Sequence, residues 1–212
     1  MRPLGKRVRQ YRRQLSRHAY LVRQRLFGKF AFIHINKCGG TSIESALGIP
    51  IKIHDTALER RRKLGSRRWE AAFTFALVRH PYSRALSLYA YRMRINRTGL
   101  GRNPVPLNDW VRRTFGEKDP RYYDDPRWFG PCIDWISDES GRIMVDYVAR
   151  LETIHEDWPA IQERTGVQAA LPHANGTRSG LGWDDLDPDA RSILAAHFRR
   201  DFESFGYSPD RA

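Results

Sequence analysis

The residues with the most evident chemistry lie in two short stretches, FIHINKCGGTSIESA at 32–46 and LVRHPYSRALSLYAYR at 77–92. The first runs from alternating apolar residues into Lys37, Cys38, Gly39, Gly40, Thr41 and Ser42, then into a helical pattern. Glycines between a strand and a helix let successive backbone N–H groups wrap close to an anion, and a lysine adds charge. The second stretch sets Arg79 directly after the apolar run 73–78, with Ser87 eight residues on. An arginine fork suits phosphate oxygens, and a serine hydroxyl completes such a clamp. Ser87 lies off the apolar stripe of its helix and is expected to face a ligand. Both stretches point to a phosphate-bearing small molecule.

The loop differs from that of a magnesium-dependent nucleotide hydrolase. There the lysine follows the glycines and a hydroxyl beside it holds the metal. Here Lys37 precedes them, and the run 73–78 ends in Arg79 rather than a metal-holding aspartate. The expected ligand is an anion bound without metal.

The elements that must position these residues can be read from periodicity. Residues 30–35 alternate as a short strand, and the helix after the loop is expected to start near Thr41 or Ser42 and stop at Gly48. Residues 49–53 read as a second strand and 56–64 as a very basic helix closed by Gly65. The near-continuous apolar run 73–78 suits a central parallel strand covered on both faces. Pro81 opens a helix whose apolar residues Tyr82, Ala85, Leu86, Tyr89, Ala90 and Met93 form one stripe. Residues 98–135 are expected to be irregular, with a short helix at 107–114. A further strand at 143–151, a helix at 156–165 and a last helix after Asp187-Pro188 follow. Strands alternating with helices predict an α/β fold with a mainly parallel central sheet flanked by helices. Parallel strands bind ligands at their carboxyl ends, where Arg79 lies.

At 212 residues with 41% hydrophobic content, the chain is expected to be one globular domain. Its net charge of +13 is uneven: residues 1–29 hold ten Lys or Arg and no acid, leaving 27 basic against 24 acidic residues elsewhere. We therefore divide the chain into a basic arm, 1–29, and a domain, 30–212. Such an arm is either a solvated helix or an element attracted to anionic lipid or an anionic polymer, with peripheral membrane association as one consequence. No nucleic-acid-binding signature accompanies it, so nucleic acid is not an expected partner. No run approaches the ~20 apolar residues of a membrane span, and no secretory signal is visible. Cys38 and Cys132, 94 residues apart, fit neither a zinc site nor a disulfide framework, which predicts a cytoplasmic setting.

Together, residues 32–44 and 75–89 resemble the two nucleotide-binding signatures of sulfotransferases that use 3′-phosphoadenosine 5′-phosphosulfate (PAPS). The closer similarity is to the carbohydrate-type branch, whose pattern resembles Pro-Lys-Thr-Gly-Gly-Thr-Ser followed by Val-Arg-Asn-Pro-Tyr-x-Arg and Ser-x-Tyr. It continues through GRIMVDYVARLETIHEDW, LPHANGTRSG and DFESFGY. The resemblance implies a P-loop-like sulfotransferase fold, PAPS as co-substrate without metal, and an acceptor hydroxyl on a glycan or glycolipid. It assigns Lys37 with Cys38, Gly39, Gly40, Thr41 and Ser42 to the 5′-phosphosulfate, and Arg79 and Ser87 to the 3′-phosphate. Arg178 is similar to a late basic loop over that phosphate. Asn36, Cys38 and His80 depart from the pattern's Pro, Thr and Asn.

Sulfuryl transfer calls for preplaced donors where charge grows on the leaving oxygen, a task for Lys37 and the loop amides, and for a base to take the acceptor's proton. His54, after the predicted second strand, titrates near neutrality and is the candidate base. Asp55 is the alternative, His34 a weaker one, and His173 is expected to shape the late loop. Arg60, Arg61, Arg62, Lys63, Arg67 and Arg68 form a basic band, and Trp110, Trp128 and Trp135 could stack on sugars. An ATP-dependent phosphotransferase and a non-enzymatic basic adaptor are the competing readings.

Overall fold

The computed structural model describes residues 4–50, 52–172 and 180–210. A long helix, α1 (Leu4–Phe27), precedes β1 (Phe30–Ile33), the phosphate-type loop and α2 (Gly40–Ala46). Then come α3 (Ala57–Leu64), α4 (Ser66–Ala71), β2 (Phe73–Val78) and α5 (Pro81–Arg94). Among the described residues the sheet has three strands in the order β1-β2-β3, with β3 at Tyr147–Arg150. β1 and β2 pair in parallel from Phe30↔Phe73 to Ile33↔Ala76. Every residue of β2 is buried, as its unbroken apolar run requires. Because β1 and β2 are parallel, the chain leaves both at the same end of the sheet, toward Lys37 from one and Arg79 from the other. The protein is a single α/β domain with helices flanking the sheet.

Backbone contacts gather into two compact units, each made from three separated stretches, so neither is a segment that could stand as its own domain. Unit 1 comprises Met1–Ile35, Gly39–Leu77 and Trp135–Ala174; unit 2 comprises Asn36–Cys38, Val78–Asp134 and Asn175–Ala212. The core of unit 1 is built on Phe32, Ile43, Phe75, Leu77, Trp158 and Ile161, the last two from α9 (Ile154–Thr165). The core of unit 2 joins Tyr82 and Leu86 to Trp110, Phe129, Leu194 and Phe198.

Local signals placed several elements well. Thr56 caps α3, its hydroxyl accepting from the Glu59 N–H while the Glu59 carboxylate accepts from the Thr56 N–H, and Gly65 ends it. Asp187 caps α10 (Pro188–His197) by accepting from the Ala190 N–H. Four expectations need correction. Residues 49, 50, 52 and 53 form no strand: the Ile49 N–H closes the turn after α2 on the Glu44 carbonyl, and Pro50 has no N–H to give. The strand expected over 143–151 shortens to β3, with Ile143 in an isolated bridge to Ser137. The segment 98–135 carries the expected short helix as α6 (Leu107–Val111) with a π-helical turn at Arg112–Gly116, but also α7 (Pro126–Phe129) and the start of α8 (Ile133–Ile136), so that about half of it is helical. The last helix divides at Phe198 into α10 and α11 (Arg199–Phe205).

Candidate active site

In unit 1, the first signature stretch is organised around His34, the residue after β1. Its Nδ1 lies 2.7 Å from Glu44 Oε1, and both side chains are buried. Glu44 is one turn along α2 from Gly40, and the imidazole fills the space a side chain at 40 would need. A Cβ there would stand 2.2 Å from His34 Cδ2 and 2.4 Å from Nε2. Gly39 is required for a different reason: its φ is +80°, and a Cβ would meet Leu151 Cδ1 at 2.6 Å. The Ser42 N–H is spent on the Gly39 carbonyl at 3.0 Å, so Ser42 offers the loop its hydroxyl rather than its amide. Lys52 donates to Thr41 Oγ1 at 3.0 Å and brings a second cation to the loop.

The His34 carbonyl orients His54. His54 Nδ1 lies 3.0 Å from that oxygen, and the two rings are 4.3 Å apart between centroids. A carbonyl only accepts, so Nδ1 carries the proton and the lone pair of the neutral ring sits on Nε2. Burial holds His54 below the usual histidine range, and the neighbouring His34 adds to this. Asp55 is in a different state. It is buried and meets Lys63 at 2.6 Å, Arg17 at 3.1 Å and Arg60 at 3.5 Å. Asp55, the alternative base, thus lies among three cationic side chains of the fold.

Unit 2 holds Lys37, Cys38, Arg79 and Ser87. Lys37 has φ +64°, unusual for a residue with a side chain, and its ammonium lies 4.4 Å from the centre of the Tyr91 ring. The Arg79 guanidinium donates to the Lys37 carbonyl at 3.3 Å, so the two signature stretches meet although 42 residues separate them. Arg84 completes the support. Fully buried, it donates to the Asn36 carbonyl (3.2 Å), Asn36 Oδ1 (2.7 Å), the Gly130 carbonyl (2.8 Å) and the Trp128 carbonyl (3.3 Å). Asn36 Nδ2 in turn donates to the Trp128 carbonyl at 2.9 Å, which explains why an amide suits this position.

Cys38 and Cys132, unrelated by spacing, bring their sulfurs to 3.7 Å in a fully buried pocket. Burial pushes the Cys38 thiol up, but its hydrogen bond with Cys132 and the charges of Arg84 and Arg79 outweigh this, and the net shift is down. Burial raises the Cys132 thiol. With its sulfur turned inward, Cys38 has only its backbone to offer a ligand. Ser87 is 3% exposed, because the first two turns of α5 are buried on nearly every side. His80 anchors the C-terminal segment through the Ser208 carbonyl at 3.1 Å. Arg178 and His173 lie outside the described residues. Among the described residues, no group of three His, Cys, Asp or Glu is placed to hold a metal ion.

The acceptor features are reduced by the structure. Trp110 and Trp135 are core residues; Trp128, half-buried and stacked on Tyr91 at 6.3 Å, is the one partly open ring of the three. In the basic band, Arg60 and Lys63 pair with Asp55, Arg61 with Glu70 and Arg62 with Glu139, while Arg68 donates to the carbonyls of Arg25 and Leu26. Sequence reasoning left Arg84, Glu44 and Lys52 without a role and undervalued His34. Arg84 gave no local signal, since it lies opposite the apolar stripe of α5; His34 and Glu44 did, as polar residues in an apolar strand–helix pattern.

No curated protein and no solved structure matches the chain. The model of the family described as "Sulfotransferase family" matches residues 20–208, which takes in both signature stretches and most of the chain. The chain therefore belongs to the sulfotransferase family, and the protein is a sulfotransferase.

Proposed function

We propose that the protein transfers a sulfuryl group from PAPS to a hydroxyl of a carbohydrate or glycoconjugate, with His54 as general base. Membership of the family speaks against the phosphotransferase and adaptor readings. The observation that carries the donor reading is the hydrogen bond from Arg79 to the Lys37 carbonyl, which ties together the two stretches that resemble donor signatures. The left-handed backbone at Lys37 and the glycine at 39 are the bent, cation-bearing loop that a phosphate group demands.

When bound, the donor supplies the sulfuryl group, which passes in line to the acceptor oxygen. Lys37, with the hydroxyls of Thr41 and Ser42 and the N–H groups of Cys38, Gly39 and Gly40, binds the phosphosulfate and favours negative charge at the leaving oxygen. Arg79 and Ser87 take the 3′-phosphate, joined by Arg178. His54 Nε2 accepts the proton of the acceptor hydroxyl, and the His34 carbonyl holds the ring in the tautomer that makes this feasible. Glu44 fixes His34 in turn. Trp128 is the residue we assign to stacking on a sugar ring. Two free thiols 3.7 Å apart suit a reducing, cytoplasmic compartment. Residues 1–29 are the part we expect to meet an anionic surface.

The test is equilibrium binding of 3′-phosphoadenosine 5′-phosphate, followed by incubation with labelled donor and a panel of glycan, lipid and phenolic acceptors. Arg79→Ala should weaken nucleotide binding at least about tenfold, given the weight of charge-assisted bonds. Unchanged affinity would remove Arg79 from the donor site, and label on phenols alone would overturn the carbohydrate acceptor.

A further inference from the structure

We infer that α1 is an interfacial helix that seats the enzyme on an anionic lipid bilayer through an apolar stripe bordered by arginines. Among the described residues, six large hydrophobic side chains are exposed, and four of them, Leu15, Val22, Leu26 and Phe27, belong to this one helix. Leu15, Val22 and Leu26 are spaced i, i+7 and i+11, which puts them on one face. The exposed Arg23, Arg25 and His18 fall to either side of the stripe, and α1 contains no acid.

The opposite side of the helix is held to unit 1. Arg17 pairs with the buried Asp55, Tyr20 is half-buried and hydrogen-bonds Arg60, and Arg68 donates to the carbonyls of Arg25 and Leu26 at its C-terminal end. The stripe is thus turned outward by specific contacts on the other face.

Charge alone would suit any polyanion. An anionic polymer, however, takes no benefit from leucine, valine and phenylalanine kept in water between the arginines, whereas a bilayer interface receives both. Phe27, 74% exposed at the end of the helix, is the residue most poorly served by water and best served by an acyl boundary. A helix of this composition lies on a membrane and does not cross it, and no described helix is long and apolar enough to span one. The inference does not depend on the donor or base assignments.

The experiment is co-sedimentation of the full chain with phosphatidylcholine vesicles, with and without phosphatidylglycerol, beside size-exclusion chromatography. The wild type should sediment with the anionic vesicles and not with the neutral ones. The triple substitution Leu15→Asn, Val22→Asn, Leu26→Asn keeps every charge and alters only exposed side chains; it should lower partitioning about tenfold or more. Its circular dichroism and turnover of a soluble acceptor should match the wild type. Undiminished vesicle binding by the triple variant would leave charge as the sole attraction and overturn the proposal. So would a wild-type dimer that the triple substitution splits, since the stripe would then serve self-association. Absence of binding to anionic vesicles by the wild type refutes it outright.

Discussion

Replacing Gly40 by alanine is the most discriminating perturbation of the loop, because two local effects oppose each other. Gly40 is the first residue of α2 and its φ is not positive, so alanine has no backbone penalty and gains up to about 1 kcal/mol from a less flexible unfolded chain. Against this, the new methyl would lie 2.2–2.8 Å from three atoms of the His34 ring, and that ring is held by Glu44 and buried. Overpacking of this kind costs about 1–3 kcal/mol, and displacing His34 from its buried carboxylate adds about 1–3 kcal/mol. The clash wins, with a net loss of about 2–4 kcal/mol and a fall in melting temperature on the order of 10 °C. Calorimetry of Gly40→Ala, His34→Ala and the double variant reads this directly. Once the ring is gone the methyl has room, so in the His34→Ala background Gly40→Ala should be neutral or stabilising. An equal loss in both backgrounds would refute the claim that His34 is what demands glycine at 40. Gly48→Ala is the control: φ is +63° and nothing stands within 4 Å of the new Cβ, so its cost is backbone strain alone, about 1–2 kcal/mol.

His54→Ala should retain nucleotide binding and lose turnover; full activity would end its assignment as base. The shift of His54 below its ordinary 6.5 keeps the ring neutral into mildly acidic conditions, so the acid limb of kcat/KM should fall below that pH. The same shift acts on stability, together with that of His197, which burial also depresses. Between the lowered folded values and 6.5 the unfolded chain binds more protons. Stability should therefore be full above 6.5 and decline as pH falls through the folded values, as urea titrations on both sides would reveal. Arg84→Met should cost about 3–5 kcal/mol, since it strips four acceptors, two of them buried, of one donor group; a loss under 1 kcal/mol would mean that water replaces the guanidinium.

Much of this protein is legible without coordinates wherever neighbours along the chain decide the structure. The capping of α3 by Thr56 and Glu59, the start of α5 at Pro81, the burial of 73–78 and the paired donor-type stretches are each written in adjacent residues. Misreadings occurred where periodicity competed with tertiary contacts. Residues 49, 50, 52 and 53 have strand composition yet form no strand, and the helices within 98–135 are too short to show a stripe. That Ser87 lies in a part of α5 buried on nearly every side is not visible in its stripe, because the packing on the opposite face comes from residues distant in sequence.

What only folding decided are the long-range meetings. The closeness of Cys38 to Cys132, the support of Asn36 by Arg84, the compensation of Asp55 by Arg17 and Lys63, and the approach of His54 to the His34 carbonyl all join residues at least eight positions apart. Residue types state what each group can donate, accept or titrate. Whether it does so depends on which partner the packed chain delivers, and in a buried setting each polar group must find one or be costly. The sequence alone thus determined that an α/β enzyme was encoded. The tertiary structure decided which histidine ring a backbone carbonyl orients, which carboxylate is surrounded by cations, and which apolar side chains of α1 stay exposed.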